Sequence, residues 1–314
     1  MTSPRPPARR SREQLAKRLT AVAVALVVAA VVAVGIPANA AWTVPTLPPR
    51  DRAAWTMPLD QYVGVGDVAL SYAQELMIES CRASEGGDRS TVPWRDVAAA
   101  TAASERQPIR AFDLADARER GYHVPSTVDA GDPAWRDFLL RPVDAAESAA
   151  RDRCVDRLTA EHPELVSGSL GTGTGTVTDI AIRLSNAAFA EAREDDAVRA
   201  TVPAWRACVE AAGTEGFELP ATPAGMPTEQ MAAAFASSDP TTAVSPAERD
   251  LAVADATCRD RSGYLDALYD AEWEEQLTVP HDYGERLAQV DTGAVAAAKE
   301  TVARVLERST PPQP

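Results

Sequence analysis

Ser245-Pro246-Ala247-Glu248-Arg249-Asp250-Leu251-Ala252-Val253-Ala254-Asp255-Ala256-Thr257-Cys258 is the stretch that decides the fold. A serine caps, a proline fits the first turn, and Glu248, three residues on, reaches back to the cap: the grammar of a helix start. Beyond it Leu251, Ala254, Cys258, Leu265 and Leu268 form a seam close to a heptad stripe. Arg261 and Glu272 fall on the same positions, which favours packing inside a bundle over a true coiled coil. The spacing predicts one long helix ending by Pro280 and a last helix from about Tyr283 to Arg308.

Similar patterns run outward towards the N-terminus. Val198, Val202, Trp205 and Val209 keep helical spacing, with a bend expected at Pro203. Thr178 or Asp179 caps a helix carrying Ile180, Leu184 and Ala188 on one face. Asp144 opens a helix to about Glu161, stopped near Pro163. Asp67 caps a helix from Val68 to about Ala83 that ends at Gly86-Gly87 and aligns Leu70, Ala73, Met77 and Cys81. Residues 88–142 are broken by Pro93, Pro108, Pro125, Pro133 and Pro142, with short helical pieces expected around Trp94, Leu114 and Phe138. No stretch alternates with period two for long enough to make a sheet. The expectation is a mainly α, helical bundle-like domain over residues 61–309 with irregular proline-rich connections. Residues 42–60, with Pro45, Pro48, Pro49 and Pro58, predict a stiff linker, and 310–314 a disordered tail.

Residues 1–18 carry Arg5, Arg9, Arg10, Arg12, Lys17 and Arg18 against one acid, Glu13; an uncharged apolar run then continues from Leu19 to Ile36. A basic cytoplasmic segment ahead of an apolar run is the export pattern. Two outcomes fit. Residues 19–41 form a single membrane anchor, with Trp42 at the interface, or Ala38-Asn39-Ala40 is cleaved and the protein is secreted. Removing the leader leaves 25 basic and 45 acidic residues, a formal charge of −20. A surface that acidic repels phosphate backbones, which argues against nucleic acid as a partner.

The four cysteines, Cys81, Cys154, Cys208 and Cys258, all follow the leader. An even set in an oxidising compartment reads as two disulfides. Three pairings are possible and spacing alone does not choose. A weak duplication favours one without excluding the others: Cys81-Arg82-Ala83-Ser84-Glu85-Gly86 resembles Cys208-Val209-Glu210-Ala211-Ala212-Gly213, and Cys154-Val155-Asp156-Arg157 resembles Cys258-Arg259-Asp260-Arg261. Halves spanning 61–165 and 179–309, each closing its own bridge, predict Cys81–Cys154 and Cys208–Cys258. Each would contribute about 4 kcal/mol by the chain-entropy argument.

The same residues carry a resemblance. Trp205-Arg206-Ala207-Cys208, then Gly216-Phe217, then Ala252-Val253-Ala254-Asp255-Ala256-Thr257-Cys258, is similar to a group of uncharacterised exported proteins of actinobacteria. In that group a Trp-x-x-Cys-Met-x-x-x-Gly-aromatic segment precedes an Ala-x-Ala-Asp-x-x-Cys helix. Here Val209 stands in place of the methionine, and the Gly-aromatic pair is displaced. The likeness covers Trp205 to Cys258. It implies an exported, helical, cysteine-containing protein and no activity or catalytic residue.

Chemistry-bearing patterns are sparse. His123, His162 and His281 lie too far apart for a two-histidine metal spacing and read as surface or capping residues. Ser167 to Thr178 is rich in glycine but lacks the Gly-Lys-Ser/Thr ending of a phosphate loop. The acid clusters Glu194-Asp195-Asp196, Glu274-Glu275 and Asp266 with Asp270 could supply a carboxylate pair for glycan hydrolysis; a solvated helix face is the commoner use. Trp205, Phe217 and Trp273 are the aromatics expected to face a partner or fill the core. No cofactor or metal is implied. The favoured expectation is a non-enzymatic binding or accessory module at the cell envelope, partnered by an envelope protein or a wall component; the alternative is a cell-wall glycan hydrolase.

Overall fold

The computed structural model describes residues 41–86, 92–95, 97, 110, 112–123, 133–165, 177–214, 216–238 and 242–309. The basic segment, the apolar run up to residue 40, the glycine-rich stretch 167–176 and the tail lie outside them. Among the described residues no helix is long and apolar enough to cross a membrane.

Eleven α-helices are described. They are α1 (Asp67–Ser84), α2 (Leu114–Arg120), α3 (Pro133–Leu139), α4 (Ala145–Glu161), α5 (Val177–Ala192), α6 (Asp196–Ala212), α7 (Glu229–Phe235), α8 (Pro246–Arg261), α9 (Tyr264–Gln276), α10 (His281–Leu287) and α11 (Thr292–Glu307). Two short strands, β1 (Ala41–Thr43) and β2 (Thr278–Pro280), pair antiparallel. The protein is therefore mainly α, and two disulfides, Cys81–Cys154 and Cys208–Cys258, staple it.

The caps follow the sequence in part. Asp144 accepts from Glu147 N, and Ser245 from Glu248 N. Asp67 is not a cap: Gly66 holds that position and Asp67 begins the helix. Val177 precedes the expected cap of α5, so Thr178 lies inside it. Pro203 is accommodated within α6. Residues 92–95, around Trp94, are not helical, whereas Leu114 and Phe138 do lie in short helices.

The predicted long helix after Ser245 is two helices. Gly263, at φ +76°, takes a left-handed conformation that a side chain would resist, and the chain turns there between α8 and α9. The last helix is likewise divided, with residues 288–291 separating α10 from α11 and Asp291 capping the second.

The two halves are not separate units. The first core gathers Leu70, Tyr72 and Ala73 of α1 with Trp135 and Phe138 of α3, and it takes Ala298 and Val302 from the C-terminal α11. The second gathers Trp205, Val209, Leu251 and Ala256, and it takes Ala117 and Tyr122 from around α2. Each half contributes side chains to the other's core.

Residues 42–60 are not a free linker. Trp42 sits in β1 opposite Val279, and Val44, Met57 and Leu59 are buried. The prolines make this segment extended, but its apolar side chains find partners on α5, α9 and β2, and it crosses the domain as a strap. Trp42 packs edge-on to Tyr62 and over Gly284 instead of standing free as an interface anchor.

Candidate functional site

The sequence directs attention to the segments carrying Trp205-x-x-Cys208 and Asp255-x-x-Cys258. Both lie on helices, and a spacing of three puts the two residues of each segment one turn apart on one face. Helices α6 and α8 align these faces. Trp205 Nε1–H donates to Asp255 Oδ1 at 2.9 Å, and one turn on Cys208 bonds Cys258. The motif residues form two rungs of one interhelix ladder.

Asp255 is fully buried and its carboxylate is saturated. Besides the Trp205 indole, Arg259 donates from Nε to Oδ1 at 2.9 Å and from Nη2 to Oδ2 at 2.8 Å; the Tyr122 hydroxyl reaches Oδ2 at 3.4 Å. Four donors meet the roughly four acceptor positions a carboxylate offers. Arg259 Nη2 also donates to the Pro223 carbonyl, and its guanidinium lies 5.1 Å from the Phe112 ring centroid. Burial, helped by the Asp255 charge, pushes the Tyr122 hydroxyl well above the ordinary phenol range. In the first half the positions preceding the cysteines by one turn are Ile78 and Arg151, and Arg151 pairs with Glu75; the buried carboxylate there is Glu79, which accepts from Arg82 and Arg141. The duplication extends to the bridge but not to the charges.

Glu248 does not reach back to Ser245 as expected. Its Oε1 accepts from Tyr122 N at 2.9 Å, and Oε2 faces His123 Nε2 at 3.3 Å, within ion-pair reach but outside hydrogen-bonding geometry. A remote backbone donor wins over the local cap. His123 is thus a buried residue, not a surface one. His162 occupies the C-cap of α4 and meets Glu164; His281 is exposed and meets Glu285.

A second buried cluster joins the strap to α9. Glu272 accepts from Trp55 Nε1 at 2.9 Å and from Gln276 Nε2 at 3.0 Å, and faces Arg110 Nε at 3.3 Å. Arg110 Nη2 donates to the Ser185 carbonyl and Asn186 Oδ1. Burial raises the carboxyl pKa of both Glu272 and Asp60, with Arg110 opposing the rise at each. In the sequence Glu272 is only a misfit in the helical seam; its partners Trp55 and Arg110 lie more than 160 residues away.

The acid clusters are tied to arginines. Asp266 pairs with Arg52, and Asp270 and Glu274 pair with Arg50, both arginines coming from the strap. Arg50 also sits 4.7 Å from the Trp273 ring centroid. Glu194 and Asp196 pair with Arg199, and Asp195 caps α6. Glu275 is exposed. Of the singled-out aromatics, Trp205 and Trp273 are core residues, and Phe217 is half-buried against Phe235. Cys81, Glu85 and Cys154 bring three ligand-type atoms together, but both sulfurs are in the disulfide and Glu85 is held by Arg153 and Arg157. Among the described residues, a shallow surface depression is lined by Glu229, Ala232, Ala233, Ala236 and Ser238, with one ionisable side chain and no convergent polar groups.

The chain matches no protein-family model, and neither a curated protein nor a solved structure is significantly similar to it.

Proposed function

We propose that this is an exported cell-envelope protein whose domain acts as a non-enzymatic binding or accessory module for an envelope protein or a wall component. The two disulfides are consistent with an extracytoplasmic location. The leader supplies export, and residues 19–41 hold the protein in the membrane unless cleavage near Ala40 releases it. The likeness to uncharacterised exported actinobacterial proteins belongs to the same reading.

The observation that carries the non-enzymatic part is the state of the carboxylates. Catalytic pairs in glycan hydrolysis need one acid free to protonate the leaving oxygen and a second open to water or sugar. Asp255 has its acceptor positions filled, and Asp266, Asp270 and Glu274, though exposed to water, are each paired with Arg50 or Arg52. Partner contact then falls to the surface. Leu139, Leu140 and Val143 are exposed close together in sequence, Leu140 at 75%.

The test is sedimentation of the full chain with purified peptidoglycan, paired with chromatography of the supernatant. Retention without released muropeptides supports a wall-binding module, and release of fragments contradicts the proposal. Neither retention nor release selects the protein-partner form of the proposal, which photo-crosslinking from Leu140 in intact cells then tests.

A further inference from the structure

In the anchored form of the protein, we infer that the edge formed by Pro280 and the exposed face of α10 lies flush against the lipid bilayer, with Tyr283 at headgroup depth. This rests on the proposal that residues 19–41 remain uncleaved.

Reach sets this orientation. β1 begins at Ala41, and Ala41 pairs with Pro280. The chain therefore leaves the domain beside the start of α10. The continuous apolar run ends at Ile36, so only residues 37–40 separate it from the domain. Four residues span at most about 14 Å even fully extended. The headgroup layer of one leaflet accounts for several of those ångströms.

The attachment is stiff as well as short. Trp42 is fixed between Tyr62 and Gly284, and a Cβ at Gly284 would come within 2.2 Å of the Trp42 side chain. Val44 N donates to the Leu277 carbonyl at 2.9 Å, continuing the grip past β1. With residues 42–60 strapped to the domain, no spacer is left to let it stand off. Tyr283, 39% exposed on α10, is the amphipathic aromatic placed to sit among headgroups. Its charged neighbours Asp282, Glu285 and Arg286 sum to −1, so the tether, not charge attraction, holds this edge to the membrane.

The opposite end of α9 gives an internal reference. That helix has thirteen residues and spans about 20 Å. Its C-terminal end leads into β2, while Tyr264 and Leu265 at its other end pack with Val198. Arg199, exposed beside Val198, is accordingly remote from the tether.

The full chain is reconstituted into nanodiscs of phosphatidylcholine and phosphatidylglycerol with a photoreactive benzophenone side chain at Tyr283 or at Arg199, and intact mass establishes the N-terminus. Several-fold more lipid adduct from position 283 than from 199, on an uncleaved chain, is the expected result. Equal yields, or none at 283, on an uncleaved chain would overturn the inference and leave the anchor standing. A chain recovered from cells beginning at Ala41 would overturn the anchor and this inference together.

Discussion

Trp205 and Asp255 stand one helical turn ahead of the Cys208–Cys258 bridge, on α6 and α8 respectively, and the indole N–H donates to the buried carboxylate at 2.9 Å. The covalent rung and the hydrogen-bonded rung fix the same pair of helices. Removing one partner of a buried charged pair leaves the other charge uncompensated, at a cost of about 3–5 kcal/mol. Asp255→Ala, which strands Arg259, should therefore lower the urea midpoint severely. Trp205→Phe, which removes one donor while keeping most of the apolar volume, should cost about 1–3 kcal/mol. The double variant should lose less than the sum, since the two share one interaction.

Helix α4 is attached in a different way. Cys154 is its single buried residue; around it Arg151 pairs with Glu75, Arg153 and Arg157 with Glu85, and Glu147 with Arg82. Partly exposed ion pairs contribute little and are screened by salt. Cys154→Ser should release about 4 kcal/mol of constraint, close to a thousandfold in opening. Hydrogen exchange over residues 145–161 should accelerate accordingly, more so in high salt, while α6 and α8 stay protected.

The strap carries a pH dependence of defined sign. Asp60 and Glu272 both have raised pKa values in the folded protein, chiefly through burial. A carboxyl raised above its unfolded value near 4 stabilises folding when protonated, and that contribution is lost as pH rises through the folded pKa. Between about pH 4 and pH 7 the difference in Tm between Glu272→Gln and the unaltered protein should change steadily, in the variant's favour towards neutrality. A constant difference across that window would mean the Glu272 carboxyl titrates alike in both states.

Gly284 tests the seating of the strap. A methyl group there would overlap the Trp42 Cβ and Cγ, each 2.2 Å away. Gly284→Ala should expel the ring at a cost of about 1–3 kcal/mol. Limited proteolysis should then cut within residues 44–56 faster than in the unaltered protein.

Much of the fold is legible in the sequence because its signals are local. Ser245 and Asp144 cap as their spacing implies, and the pairing that the similar cysteine segments favour is the one that forms. What escapes is non-local. Gly263 lies in a run that reads as one helix, and the turn there lets α9 pack against α5 and α6. Residues 42–60 have no helical or strand period, so burial of Val44, Met57 and Leu59 leaves no pattern to detect. Glu248 reads as a capping acid and Glu272 as a misfit in the seam, and their actual partners Tyr122, His123, Trp55 and Arg110 arrive from distant segments. The buried charge clusters leave no local signal for that reason, whereas Trp205, Asp255 and their cysteines form a local motif.

Under the proposed function the acids of α9 act as structural partners of the strap and not as a covered catalytic pair. The double variant Arg50→Ala/Arg52→Ala removes the arginines from Asp266, Asp270 and Glu274. Its folding is checked first by circular dichroism, since surface ion pairs of this kind contribute at most about 1 kcal/mol each. It is then incubated with purified peptidoglycan and the soluble products are separated by chromatography. No muropeptide release, matching the unaltered protein, is the expected result. Release by the variant that disappears when Asp266 or Glu274 is also replaced would contradict the claim and identify a hydrolase restrained by its own N-terminal strap.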